Sequence, residues 1–417
     1  MQPERPPVVV IGAGAAGLMA ALFAARAGAP VVLVERTADG GRKILISGGG
    51  RCNILPSVVT PRSYVTDSSP NTLRKLLLAW PLREQRPFFE RELGMPLDLE
   101  PDTGKLFPSS HKARDVRDGL VARVREAGAR IWFGTRVTDV VPVSLPEAPS
   151  VRWRVALEGA PPLLASAVVI ATGGLSVPAT GSDGFGLGLA DRLGIEVHPT
   201  YPALTPLTAD PHPHAALAGI SLEVTIRAPG ARPAFETTGG FLFTHRGWSG
   251  PTVLDASHLA IRGRPDGSRQ ELEVQWSGID AGAWEDRLGQ GSGTVRTALA
   301  ADLPRRLADA LLDEADVPAD TPLAQLRREE RLALVAALSA YPLPWTGDEG
   351  YKKAEVTGGG VALSEVAPGT LECRAHPGLH LCGEVLDAFG PIGGHNFLWA
   401  WSTGRTAGTA AASTTAA

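Results

Sequence analysis

Between a run of four β-branched residues, Val8–Ile11, and an alanine-rich stretch stands Gly12-Ala13-Gly14-Ala15-Ala16-Gly17. Few folds accommodate that spacing. Gly12 permits a tight turn after a strand, Gly14 lets a pyrophosphate approach the backbone, and Gly17 lets helix and strand pack closely. The pattern predicts a strand over Val8–Ile11, a helix over about Ala15–Ala27 and a second strand over Val31–Val34, a βαβ unit. Neither strand alternates with polar residues, as expected of parallel strands covered on both faces. The uncharged stretch Val8–Ala25 is therefore read as strand, turn and helix, not as a signal peptide or membrane span.

Phosphates at such a turn sit at the positive end of the helix, where the amides of Ala15 and Ala16 stand free. Glu35, with Arg36 beside it, ends the second strand 18 residues past Gly17. It is placed to accept from a ribose 2′-hydroxyl, and an acid there disfavours a 2′-phosphate, leaving FAD or NAD. The far end of the chain decides for FAD. "LHLCGEVLDAFGPIGGHNFLWAWSTG" supplies a strand, then Gly383-Glu384 to meet a ribityl hydroxyl, then Gly393-Gly394 for close approach to a flat ring. A helix begins near Asn396-Phe397, its N-terminus aimed at the flavin pyrimidine edge.

FAD outreaches the first fingerprint, and "GRKILISGGGRCN" fits the remainder. Arg42, Lys43 and Arg51 are expected to offset phosphate charge. Ser47, Gly48, Gly49 and Gly50 expose amides to the cofactor, with Cys52 and Asn53 following. The apolar "ILI" within it is expected to be buried. Cys52 either touches the flavin or packs as a small hydrophobe. Ala171, Thr172 and Gly173, ending another buried strand, let backbone pass close to the cofactor.

The texture changes near residue 196. From there the chain is richer in Pro and alternates like antiparallel strands, followed by helical stretches over about 294–341. From residue 351 the α/β texture returns. The expected organisation is α/β: a split Rossmann-like FAD domain, 1–195 with 351–417, interrupted by a substrate domain, 196–350. The tail "GTAAASTTAA" is expected to fray.

At 417 residues, 44% hydrophobic and 20% charged with net charge −4, the composition is that of an ordinary soluble protein and argues against a general nucleic-acid binder. Three cysteines without a CxxC argue for a reducing cytoplasm and against a disulfide reductase. His212-Pro213-His214 lacks further ligands, so no metal is expected. "GQGSGT" has no strand before it and reads as a linker, leaving any NAD(P)H to visit transiently. His245 and His395 are the catalytic candidates: an imidazole near the flavin donates a proton as hydride leaves. A hydrogen-bonded structural role is the alternative for each. Trp248, Trp276, Trp284 and Trp345 either line a substrate cleft or pack the insert's core.

Together, "GAGAAG", "GRKILISGGGRCN", "ATGGLSVPATGSDGFGLGLADRLG", "GGFLFTHRGWSGPTVLDAS" and "KKAEVTGGGVALSEVAPGTLECRAHPGLHLCGEVLDAFGPIGGHNFLWAWSTG" span nearly the whole chain. They resemble the HI0933-like (YhiN/BaiN-type) flavoproteins and, more distantly, fumarate reductase flavoprotein subunits. The resemblance implies a two-dinucleotide-binding-domain FAD fold and a β-barrel-like insert carrying a small helical subdomain. It also implies a backbone contact from Val137 to adenine. Activities in the family include NAD(P)H-dependent reduction of conjugated enones and aminoacetone oxidase-like chemistry. Two departures stand out: Ile54-Leu55-Pro56 follows Asn53 where Thr-Asn is usual, and "GHNF" replaces a commoner "GYN". The expected function is hydride transfer between NAD(P)H, flavin and a small organic substrate, with no nucleic acid or membrane partner. An oxygen-using amine or alcohol oxidase is the first alternative, and a flavin-binding redox sensor or RNA-modification accessory protein the second.

Overall fold

The computed structural model describes residues 5–262 and 269–414. The chain forms two compact units, one running to Tyr201 and resuming at Val356, the other spanning Pro202–Glu355. Each has its own hydrophobic core.

The first unit is organised by β1 (Val8–Ile11), α1 (Ala15–Arg26), β2 (Val31–Val34), α2 (Arg42–Ile46), β3 (Arg130–Trp132), β4 (Ala167–Ile170), β5 (Leu379–Leu381) and α3 (His395–Thr414). The strands form one parallel sheet in the order β5-β4-β1-β2-β3, with Val8 opposite both Ala167 and Val31. Every residue of β1, β2, β4 and β5 is buried, which explains why none alternates with polar residues. The first and last helices of this unit meet where α3 packs on α1. A Cβ on Gly404 would lie 2.3 Å from Ala16 O, and one on Gly408 2.1 Å from Ala20 O. These glycines, four apart, share one face of α3 and bring the two backbones into contact. That contact corrects the expectation of a frayed tail: the helix continues through Thr414 with Ala411 and Ala412 buried, and residues 415–417 lie outside the described residues.

Two small sheets flank this layer, Leu55–Pro56/Lys105–Pro108/Leu97–Glu100 and Val137–Pro142/Trp153–Leu157/Ala160–Ala165. Strand Val197–Ala203, read from sequence as part of the insert, pairs instead with Val356–Val361.

The second unit carries a seven-stranded sheet that begins with Tyr341–Pro342 and ends with Gly347–Asp348. Only residues 343–346 separate these two end strands, a reach of at most about 18 Å. Seven flat strands would span about 29 Å, so the sheet curls strongly. Among the described residues no ladder joins the two ends. The sheet is thus open, where the family resemblance implied a barrel. Helix Pro251–Arg262, not anticipated from sequence, packs on it through buried Val253, Ala256 and Ala260. Its Thr252, Val253 and Ser257 are weak helix formers, so burial supplies what propensity lacks. The expected helical stretch after 294 is divided by Pro304 into Val295–Ala300 and Arg305–Glu314. Trp248, Trp276, Trp284 and Trp345 are all buried in this unit's core.

His214, 1% exposed, ties that core together. Trp248 Nε1 donates to His214 Nδ1 at 3.3 Å, which leaves the ring proton on Nε2. Nε2 faces Glu314 Oε1 at 3.0 Å and Tyr341 Oη at 3.2 Å, and the tyrosine hydroxyl donates to Glu314 Oε2 at 2.8 Å. His214→Ala deprives three groups of partners and is expected to cost about 3 kcal/mol. Urea denaturation followed by tryptophan fluorescence measures it. An unchanged midpoint would show that the cluster does not anchor the unit.

Candidate functional site

The first glycine turn is built as its spacing requires. Gly12 has φ 99°, and a Cβ there would lie 2.6 Å from Ala171 O. A Cβ on Gly17 would lie 1.8 Å from Gly12 O. Gly14 differs: its φ is −76°, and a Cβ there would meet nothing within 4 Å. The protein itself gives no reason for glycine at that position. The amides of Ala15, Ala16 and Gly17 precede the first helical bond, Leu18 N to Gly14 O, and form the open positive end of α1.

Glu35, 8% exposed, holds this turn from behind. Its Oε2 accepts from Ala13 N at 2.7 Å, and its Oε1 from Thr37 N and Oγ1, each at 2.7 Å. A carboxylate has about four lone-pair sites, so capacity remains for a ribose hydroxyl. Arg36 pairs with Asp183, which also lies 3.7 Å from Arg136. Val137 is buried in the ladder opposite Leu157.

The loop after α2 turns through three successive left-handed glycines, Gly48 (φ 55°), Gly49 (φ 67°) and Gly50 (φ 85°), all exposed. Such a run presents its amides as an anion-binding concavity. Ser47 Oγ donates to Ile44 O at 2.8 Å. Of the apolar trio before it, Ile44 is buried but Ile46 is 53% exposed, contrary to the expected burial. Apolar surface of that kind beside bare glycines suits a flat ligand. Cys52 is fully buried, and burial pushes its thiol up to about 12, so it packs as a small hydrophobe.

The cations of this loop are each tied to an acid. Arg42 donates to Asp39 Oδ1 at 2.9 Å, and that contact, with Arg117 nearby, holds the Asp39 carboxyl below its usual range. Arg51 reaches Glu100 Oε1 at 3.2 Å and lies 4.1 Å over the Phe107 ring. Lys43 Nζ donates to Glu384 Oε2 and to Ser176 Oγ, both at 2.6 Å.

Glu384 is a hub. Its Oε1 accepts from Ser176 Oγ at 2.5 Å and from Thr357 N and Oγ1, each at 3.0 Å. Thr357 Oγ1 in turn accepts from Leu175 N at 2.7 Å. Four distant segments meet there: α2, the loop after Ala171-Thr172-Gly173, strand Val356–Val361 and the turn after β5. Ser176 and Thr357 carry no sequence signal of their own, since hydroxyls are scattered throughout both segments. Gly383 N accepts no part in the hub; it donates to Thr403 Oγ1 at 2.9 Å.

The last glycines lead into α3. A Cβ on Gly394 would lie 2.9 Å from Asn53 Oδ1 and 2.7 Å from Leu55 C, so the two loops touch. Asn396 Oδ1 accepts from Gly390 N, and its Nδ2 donates to Gly390 O, both at 2.9 Å, which fixes the turn. Phe397 stacks on Trp401 at 5.4 Å. Tyr64 Oη donates to His395 O at 2.9 Å. Burial pushes the His395 ring down to about 4, so it is neutral at pH 7. It can hydrogen-bond but is not an imidazolium acid. His245 lies on the exposed turn between strands Phe235–Phe243 and Gly247–Ser249 of the other unit.

Native proteins leave few buried polar atoms unpaired. Among the described residues several buried side-chain atoms lack a partner, Gln85 Oε1 and Trp276 Nε1 among them, and three of these atoms, Thr172 Oγ1, Asn53 Oδ1 and His395 Nδ1, lie in segments read from sequence as cofactor-binding. With the open Gly14, they meet the requirements of an extended dinucleotide with a flat ring: the residues present fit FAD.

A parallel sheet with this turn, this acid and a second glycine-rich strand–helix approach defines a Rossmann-type flavoprotein oxidoreductase that uses FAD. The chain belongs to the HI0933-like family, whose Rossmann-domain model matches residues 6–410. Ribosomal RNA dihydrouridine synthase of Escherichia coli K12 is 34% identical over 96% of each chain. 3-Dehydro-bile acid delta(4,6)-reductase of Clostridium scindens is 31% identical over 97% of this chain and 98% of that one. In fold alone, the open conformation of a flavocytochrome c3 fumarate reductase matches with TM-score 0.52 at 19% identity, over 99% of this chain and 79% of that one. Among the described residues no helix is long and apolar enough to cross a membrane.

Proposed function

We propose that this chain is an FAD-dependent reductase that adds hydrogen across a carbon–carbon double bond conjugated with a carbonyl, taking its electrons from NAD(P)H. The observation that carries this reading is the trio of unpaired buried atoms, Thr172 Oγ1, Asn53 Oδ1 and His395 Nδ1, in the segments that surround the glycine turns. The two relatives narrow the chemistry. Both names describe reductions, and uracil and a dehydro-bile acid ketone share an alkene conjugated to a carbonyl.

When bound, the flavin supplies two-electron hydride chemistry. The chain's part is to hold and orient it. The amides of Ala15 and Ala16 and the open face of Gly14 would receive the pyrophosphate, and Glu35 the adenosine ribose, with Val137 near the adenine. The Lys43–Glu384 hub would meet the ribityl chain, and Gly48–Gly50 with Gly393-Gly394 the ring. Thr172, Asn53 and His395 would gain the partners they lack. The first reading of the acceptor is a small conjugated enone. A uracil base of ribosomal RNA is the second, favoured by the 34% identity to the Escherichia coli enzyme.

The test is the visible spectrum of the FAD-loaded protein during anaerobic titration with NADPH and NADH. Bleaching is expected, followed by reoxidation on adding 2-cyclohexen-1-one or a steroid 4-en-3-one. Reoxidation by unmodified rRNA transcript alone, with dihydrouridine in the nucleoside digest, selects the second acceptor. A flavin that ignores both nicotinamides but is bleached by an amine, with hydrogen peroxide formed in air, overturns the reductase in favour of an oxidase. A protein that binds no FAD ends the reading altogether.

A further inference from the structure

We propose that Lys105 is a catalytic residue whose ammonium group takes up the negative charge on the acceptor's carbonyl oxygen; this rests on the reductase reading above. Lys105 opens strand Lys105–Pro108, which is pinned on one side by Pro56 and on the other by Glu100. Its stem lies over the bare turn that leads into α3. Lys105 Cε and Cγ are 3.8 and 3.9 Å from the point where a Cβ on Gly393 would stand, and His395 Cδ2 is 3.9 Å from the same point. The next residue, Gly394, is the one that abuts Asn53. Lys105 therefore shares the space over Gly393 with His395, one residue from the glycine that abuts Asn53, and both of those side chains carry unpaired buried atoms.

What distinguishes it is its charge. Lys43, Arg42, Arg51 and Arg36 are each bound to a carboxylate. Lys105 is half-buried, and its side chain makes no hydrogen bond or ion pair with any described residue. The acid opposite it, Glu100, is held by Arg51 and Thr103, and the lysine acts on that carboxylate only through its field. A lysine ammonium with no partner in its own chain has all three donors available for an incoming anion.

Reduction of a conjugated alkene supplies such a partner. When bound and reduced by a nicotinamide dinucleotide, the cofactor would supply a hydride to the β-carbon. The alkene electron pair becomes the new bond between the α-carbon and the carbonyl carbon, and the carbonyl π pair moves onto oxygen. That oxyanion accepts from the Lys105 ammonium, a charge-assisted hydrogen bond made strongest when the charge develops. A proton from water then joins the α-carbon and the carbonyl reforms. The acceptor has gained one hydride and one proton, and the nicotinamide has lost one hydride. His395, neutral at pH 7, offers no such charge.

Pentafluorophenolate, a ring-conjugated oxyanion, tests the site without turnover. Titrated onto the oxidised, FAD-loaded wild type, it should perturb the flavin spectrum. Lys105→Met, which keeps the stem, should weaken its binding at least tenfold, and Lys105→Arg should restore part of it. Lys105→Met should also slow reoxidation by 2-cyclohexen-1-one about 100-fold while flavin content and reduction by NADPH stay unchanged. No binding to the wild type, or equal binding to Lys105→Met, overturns the proposal. So does a fall in the flavin midpoint potential that accounts for the slowing, because the lysine then faces the cofactor. If the phenolate behaves as expected but neither enone nor rRNA reoxidises the wild type, the oxyanion site stands and the reductase reading falls.

Discussion

A valine at position 14 is expected to leave the protein folded and to empty it of flavin. The side chain would enter space that no protein atom occupies within 4 Å of its Cβ, at a φ of −76° that any residue adopts. Its cost to folding is that of a poorer helix N-cap, about 0.5–1 kcal/mol. Its cost to a pyrophosphate lying on the backbone is steric, and an affinity loss of about 100-fold or more is expected. Gly17→Ala provides the contrast. Its Cβ would stand 1.8 Å from Gly12 O, so strand and helix must separate, and a loss above about 4 kcal/mol is expected. Flavin absorbance after gel filtration, paired with thermal unfolding of the apoprotein, separates the two. Full flavin retention by Gly14→Val would remove the phosphates from that turn.

Acid should destabilise both units. Burial lowers His395 in the first and His258 in the second to about 4, from an ordinary value of 6.5. Between pH 6.5 and 4 the unfolded chain therefore binds more protons than the folded one, and stability falls as pH falls through that window. Each ring contributes about 3 kcal/mol across the window, at 1.36 kcal/mol per pH unit. His258 is backed by Asp255 O at 2.8 Å and feels the Arg262 charge, while His395 faces Tyr64 and lies near Lys105. Asp387 works the other way, because burial raises its pKa and its protonation offsets part of the loss. The urea midpoint of the apoprotein should thus drop steadily between pH 7 and 4.5. His395→Tyr and His258→Gln should each flatten the slope. A midpoint independent of pH across this range would mean that neither ring is desolvated as the structure places it.

The turn at 12–17, strands Val8–Ile11 and Val31–Val34 and the split of the first unit were legible because local rules govern them: glycine where backbones collide, uninterrupted apolar runs where two faces are covered. Glu35 was legible by its distance from the turn, though its bonds to Ala13 and Thr37 were not. The Glu384 hub was half legible. The acid could be named, but Ser176 and Thr357 join it across 208 and 27 residues, and no local pattern encodes such a meeting. That burial keeps the His395 ring neutral was not legible, since burial belongs to the fold and not to the motif. Lys105 escaped notice because a lone lysine opening a short strand resembles many surface lysines. The terminal helix was misread as frayed because its small residues, poor in propensity contrast, gain their stability from contact with α1.

The pairing of α3 with α1, and of β5 with β4, has a consequence for how the protein is made. The parallel sheet of the first unit needs Leu379–Leu381, and the helix that packs on α1 needs Gly404 and Gly408. A ribosome delivers these only after the whole insert. Every strand of the insert's sheet lies between Leu207 and Asp348, so that unit can close its core while the N-terminal half still waits for its partners. The apolar faces of α1 and β4 then stay uncovered until residues 379–408 have emerged, and a chain stalled before residue 379 would expose them beside an insert whose strands are all present.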